Sequence, residues 1–133
     1  QAIIEKHNLS EQVVRVDKFI ANDEVKYYFS VADFLALTYR HATQSGVTQI
    51  AYSMNLPMLV TDVGDLANMV PNNKVGRVCE NNIEAIALAL EEMFDSEKIE
   101  NFKENIEEEK KRFEWARLCE NLDKLAELAT DNQ

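Results

Sequence analysis

The chain has 133 residues, 46% of them hydrophobic, enough for one domain with a real core and too few for two. Its formal net charge of -10 argues against the basic face that a nucleic-acid binder needs, and against a polybasic membrane patch within these residues. An anionic small ligand stays open, because local dipoles can hold a diphosphate on an acidic protein.

Apolar stretches are short and broken by charge, so none reads as a transmembrane span. The opening Gln1-Ala2-Ile3-Ile4-Glu5-Lys6 resembles the tail of a helix already under way. With no initiator Met and no signal-type flank, residue 1 is expected to fall inside a longer protein. Cys79 and Cys119 lie far apart and in no metal-ligand spacing, so free thiols and a reducing cytoplasm are expected.

Along the chain, strands alternate with helices. Residues 13–20 are β-branched and partly alternating, which predicts a strand. Asn22-Asp23-Glu24 then offers a helix start, with Val25, Tyr28, Phe29 and Ala32 at helical spacing and Asp33 at the end. Phe34 to Tyr39 is too short for a helix and predicts a strand buried on both faces. Ser45-Gly46 precedes Val47, Ile50, Ala51 and Met54, again at helical spacing; Asn55 closes that helix and Pro57 forbids its continuation.

Pro57 to Thr61 predicts the next buried strand, Asp62 to Val70 a loop with one short helix, and Gly76 to Glu80 a last short strand. Asn81 with Glu84 makes a capping-box pattern before a face of Ile83, Ile86, Ala87, Leu90, Met93 and Phe94. A second start follows at Asp95 or Ser96, with Ile99, Phe102, Ile106 and Phe113 as a thin stripe. The Glu-Glu-Glu-Lys-Lys-Arg run at 107–112 reads as a solvated helix face. Trp115, Leu118, Cys119, Leu122, Leu125, Ala126 and Ala129 predict a final amphipathic helix. The order implies a Rossmann-like α/β/α domain on a parallel sheet, with ligands at the carboxyl ends of its strands.

That edge carries residues 40–45 and 62–65. The run Ala42-Thr43-Gln44-Ser45-Gly46-Val47-Thr48-Gln49 follows a buried strand and opens a helix, where free amides and the helix dipole favour a phosphate. Ser45 offers a hydroxyl and Gly46 lets a ligand approach the backbone, although both also fit a plain cap and turn. Arg40 can pair with a phosphate, and His41 stands beside it; a surface Arg and a structural His are the blander alternatives. Gly64, in Thr61-Asp62-Val63-Gly64-Asp65, could aim amides at the same ligand or simply turn the chain. No Ser-His-Asp arrangement, Cys-x-x-Cys, His-Glu-x-x-His or Walker-type loop is present, and Asp62 with Asp65 is weak evidence for a metal.

The order Ala32-Asp33-Phe34-Leu35-Ala36-Leu37, loop, helix, Pro57 to Gly64, then Gly76-Arg77-Val78 and an Ile/Ala/Leu helix resembles the carboxyl-terminal domain of the family-four retaining GT-B glycosyltransferases. Arg112-Phe113-Glu114-Trp115-Ala116 resembles the family's segment before its last helix, and Ala42 to Tyr52 a subgroup common in Bacteroidetes-type bacteria. The resemblance implies a donor half that binds a nucleoside-diphosphate sugar, in a parent that transfers a hexose-type sugar to a glycan or lipid-linked acceptor with retention. It implies no metal and no cofactor besides the donor, a cytoplasmic place that can be peripheral to the inner membrane, and a separate acceptor half. Donor contacts are expected from Arg40, His41, Thr43, Gln44, Ser45, Gly46, Gln49 and Gly64; no catalytic residue is assigned.

The family's two donor-binding Glu positions fall on Ala42 and Ile50, or with a one-residue slip on His41 and Gln49. Neither register gives a Glu; Gln49 is left to hold ribose hydroxyls. The family's Gly-Gly is Gly64-Asp65, and its following Glu is Asn68. A non-catalytic GT-B-like binding module, or half of a sugar-nucleotide epimerase, therefore stays as an alternative. The family's basic pair for the diphosphate would precede residue 1, so the segment alone is expected to be inactive. The helix at 113–129 is expected to reach toward the missing half and, left exposed, to mediate dimers.

Overall fold

The computed structural model describes residues 2–114 together with Arg117, Cys119 and Leu122–Lys124. The elements are α1 (Ala2–Lys6), α2 (Asn22–Ser30), β1 (Leu35–Leu37), α3 (Gly46–Ser53), β2 (Met58–Thr61), α4 (Leu66–Met69), β3 (Gly76–Cys79), α5 (Ile83–Met93), α6 (Ser96–Glu109) and a 3₁₀ turn (Lys110–Phe113). The three strands form one parallel sheet in the order β1-β2-β3, with Leu35 opposite Met58 and Val60 opposite Val78. The expected parallel sheet is present, with the strands read at 34–39 and 57–61 as neighbours.

β2 lies between its neighbours and is buried along its whole length, which is why its sequence is apolar without alternation. Its side chains still point alternately to the two faces. Met58 and Val60 join a core with Ala51 and Tyr52 of α3, Leu66 of α4 and Ile106 of α6. Leu59 joins a second core with Ala89 and Met93 of α5 and Ile99 and Phe102 of α6. Gly76 is required by the sheet: a Cβ there would lie 1.8 Å from the Met58 carbonyl oxygen.

The helices end where local chemistry stops them. Asn55 takes a left-handed φ of 53° just past α3, a conformation that Asn tolerates better than most residues. Asp95 caps α6 by accepting from the amides of Glu97 and Lys98 at 3.0 and 3.3 Å.

Five expectations need correction. Residues 13–20 form no strand, and Val14 and Phe19 are almost fully exposed. An extended segment becomes a strand only where a neighbouring edge accepts its hydrogen bonds, and this segment has no such partner among the described residues. The helix read as reaching Asp33 stops at Ser30. β1 is shorter than Phe34–Tyr39 and not buried on both faces, because Ala36 is exposed and β1 pairs with β2 alone among the described residues. The cap of α5 is Asn82, not Asn81: the Asn82 Oδ1 accepts from the Ala85 amide at 2.8 Å.

The fifth concerns the 107–112 run, which is not uniformly solvated. Glu109 is buried against Lys74, at 2.5 Å, and Arg112. Burial pushes the Glu109 pKa up, but hydrogen bonds and charge from Lys74 and Arg112 outweigh it and hold the carboxyl below its ordinary range. A folded-state pKa below the unfolded one adds stability above the unfolded value, about 4.3, that is lost as pH falls through the folded value. Glu109→Gln should therefore cost about 1–2 kcal/mol at neutral pH, since both half-exposed cations can rehydrate. The difference from wild type should shrink below about pH 4. Urea unfolding at pH 7 and pH 3 checks this, and an equal difference at both would count against it. Most of the expected last helix, including Trp115, Leu118, Leu125, Ala126 and Ala129, lies outside the described residues, and so does most of its expected dimer face.

Candidate functional site

All three strands run parallel, so their carboxyl ends share one edge, and three loops meet there. The loop after β1 spans residues 38–45 and carries Arg40, His41, Thr43, Gln44 and Ser45. Its main chain is held by donors from the two other loops and from the end of β2. The Thr61 hydroxyl donates to the Tyr39 carbonyl at 2.7 Å. The Asn81 amide group donates to the Arg40 carbonyl at 3.1 Å, and the Asp65 N–H to the Thr43 carbonyl at 3.0 Å.

Gly64 makes the last contact possible. Its φ of 57° lies in the left-handed region, and a Cβ would stand 1.9 Å from the Ala42 carbonyl oxygen. Its role is thus to let the 62–65 turn press against the β1 loop. The neighbouring Asp65 amide is spent on that loop.

Beside the β1 loop opens a cleft of about 510 Å³, lined by Thr38, Arg40, His41, Asn81, Asn82, Ile83 and Ile86. Arg40 and His41 are exposed in it, and Arg40 makes no ion pair among the described residues, where most other basic side chains do. On a chain this acidic, a guanidinium without an ion pair, beside Asn81 and Asn82 in an open cleft, is suited to an anion. Asn81, Asn82 and Thr38 carry no mark of a ligand site in the sequence. Asn81 reads there only as a cap, and nothing local in the sequence says that β3 ends beside β1's loop.

The other expected residues fall elsewhere. Ser45 occupies the N-cap position of α3 but is buried, and its side chain makes no capping hydrogen bond. The Thr48 hydroxyl instead donates to the Ser45 carbonyl at 2.6 Å. Gly46 opens α3 with free space around it: a Cβ there would meet nothing within 4 Å. Thr43 and Gln44 are exposed on the same loop. Gln49 is not in the Arg40 cleft; it lines a separate hollow with Tyr52, Ser53, Lys110, Phe113 and Glu114. Ile50 faces a third hollow beside Asn22, Val25 and Lys26 of α2.

Below α3, the Tyr52 hydroxyl donates to the Met69 carbonyl at 2.6 Å and its ring packs on Phe113. Burial, with the Glu109 charge adding to it and Arg112 opposing, pushes the Tyr52 pKa far up, so the hydroxyl stays a donor. It ties α3 to α4, the helix that follows the Gly64 turn. Among the described residues, no group of three or more His, Cys, Asp and Glu side chains could hold a metal ion. No helix among them is long and apolar enough to cross a membrane.

Residues 1–96 match the family of glycosyl transferases group 1. The chain belongs to this family. The chain is also similar in structure to a sucrose-phosphate synthase from Thermosynechococcus elongatus, with a TM-score of 0.78 at 18% sequence identity. That likeness covers 99% of this chain and 34% of the synthase, so the chain spans about a third of the length of that neighbour. It shows the GT-B Rossmann-like fold. No curated protein matches the chain.

Proposed function

We propose that this segment of a glycosyltransferase is the donor half, and that it binds a nucleoside-diphosphate sugar at the carboxyl edge of its sheet. The observation that carries the reading is the β1 loop, pinned at Tyr39, Arg40 and Thr43, with Arg40 lining the cleft and in no ion pair among the described residues. A loop fixed at three carbonyls holds its side chains and the start of α3 in one place, and binding free energy is not lost to ordering them. Arg40 and His41 would meet the diphosphate. Thr43, Gln44 and the open approach over Gly46 would meet the sugar side, and Gly64 serves by support.

The full enzyme would transfer a hexose-type sugar with retention to a glycan or lipid-linked acceptor held by a separate half, without a metal, in the cytoplasm or at the inner face of a membrane. The chain's part is positioning and charge stabilisation. Chain association through residues 113–129 belongs to the same proposal.

A second reading, a binding module without turnover, is favoured by one observation. Ala42, Ile50, His41 and Gln49 supply no carboxylate, and Gln49 and Ile50 face hollows away from the Arg40 cleft.

Titration of the segment with uridine and guanosine diphosphates by NMR tests donor binding. Shifts should centre on residues 38–46 and 62–66 and reach residues 81–86. Binding should be weak, because the dipole and amides of a helix start supply no more than about 2 kcal/mol and an exposed Arg40 adds about 1 kcal/mol or less. Shifts confined to the Gln49 hollow would move the site, and turnover by the full-length protein separates transferase from module.

A further inference from the structure

Asn81 is an exposed side chain in the short link between β3 and α5. Capping of α5 belongs to its neighbour Asn82, so Asn81 has no part in starting the helix. Its side-chain amide instead spans to the loop after β1 and donates to the Arg40 carbonyl at 3.1 Å, a contact 41 positions away in sequence. Both residues line the same cleft. The next carbonyl back, that of Tyr39, is fixed from the end of β2 by Thr61. Together the two donors set the orientation of consecutive peptide groups, and therefore the direction in which the Arg40 and His41 side chains leave the main chain.

We infer that Asn81 is a positioning residue for donor recognition, holding the Arg40–His41 peptide so that both side chains face the cleft. This rests on the reading of that cleft as the donor site. The contact is at the surface, so its loss should leave global stability nearly unchanged while loosening one loop. That separates it from a merely structural hydrogen bond.

The test uses the full-length protein carrying Asn81→Ala, Asn81→Asp or Asn81→Gln, with Arg40→Ala as reference. Asn81→Asp keeps the size but replaces the donating amide with an acceptor. Asn81→Gln keeps the donor on a longer arm. Unfolding midpoints should match wild type. Hydrogen exchange across residues 39–43 should quicken in the Ala and Asp variants and recover toward wild type in the Gln variant. The dissociation constants for uridine or guanosine diphosphate, and the donor KM where turnover is seen, should rise about tenfold in the Ala and Asp variants, the effect of having to order the freed Arg40 and His41 side chains on binding. The kcat should change little.

If Arg40→Ala weakens binding and Asn81→Ala does not, the positioning role is wrong and the donor site stands. If neither diphosphate binds wild type at millimolar concentration, or if Arg40→Ala has no effect, the donor reading fails and this inference goes with it. Unchanged exchange at residues 39–43 in Asn81→Ala would also overturn it.

Discussion

Gly64→Ala should destabilise the domain by about 2–5 kcal/mol and free the loop that carries Arg40 and His41. Two costs add. The left-handed φ of 57° opposes any Cβ, at about 1–2 kcal/mol. The new methyl would also stand 1.9 Å from the Ala42 carbonyl oxygen and 3.0 Å from that of Thr43, contacts with main chain that no rotamer change relieves. Either the 62–65 turn or the β1 loop must move, and the Asp65 to Thr43 hydrogen bond at 3.0 Å breaks with the movement. Urea unfolding of wild type and variant measures the first effect, and amide exchange at residues 40–46 the second. A cost below about 1 kcal/mol would mean that the turn tolerates a shift the geometry denies it.

Gly46→Val should do the opposite. Nothing lies within 4 Å of a Cβ at Gly46, and that glycine is not in the left-handed region. Glycine is also a poor helix former, so valine at the first position of α3 should change stability by no more than about 0.5 kcal/mol. If the proposed donor reading holds, donor use by the full-length protein should nevertheless fall on the order of 100-fold, because the isopropyl group would fill the space through which a ligand would reach the α3 amides. Stability and turnover must be measured on the same preparation. If turnover is kept, Ser45-Gly46 is a turn that starts a helix and nothing more, and the ligand lies wholly in the Arg40 cleft.

The sheet was legible in the sequence where a segment's own pattern decides its state. Met58–Thr61 is apolar on both faces and bracketed by Pro57 and Asp62, and it is the central strand. Asp95 was readable as a cap because a helix start needs only local partners. The strand expected at 13–20 failed because β structure needs a second edge, and sequence pattern says nothing about whether one is at hand. Glu109 failed for a similar reason. A carboxylate in a charged run reads as solvated unless one knows that Lys74, 35 positions earlier, lies across from it.

The cleft divides along the same line. The place of Arg40 and His41 on its edge was legible because they follow a strand, and strand ends gather ligands in this architecture. Asn81 and Asn82 were not, because their place opposite Arg40 follows from β3 lying two strands away in the sheet. Gln49 comes from a one-residue slip in the register of the resembled family's Glu pair, and it lies in a separate hollow with Phe113.

The way the β1 loop is anchored also bears on how such a site can change. Its path is fixed through carbonyl groups at Tyr39, Arg40 and Thr43, held by Thr61, Asn81 and the Asp65 amide. Carbonyls are common to every amino acid, so the frame does not depend on which side chains the loop displays. Arg40, His41, Thr43 and Gln44 are all exposed and outside the two cores. The side chains the loop displays can therefore be exchanged, by drift or by saturation mutagenesis at those four positions, without refolding what carries them.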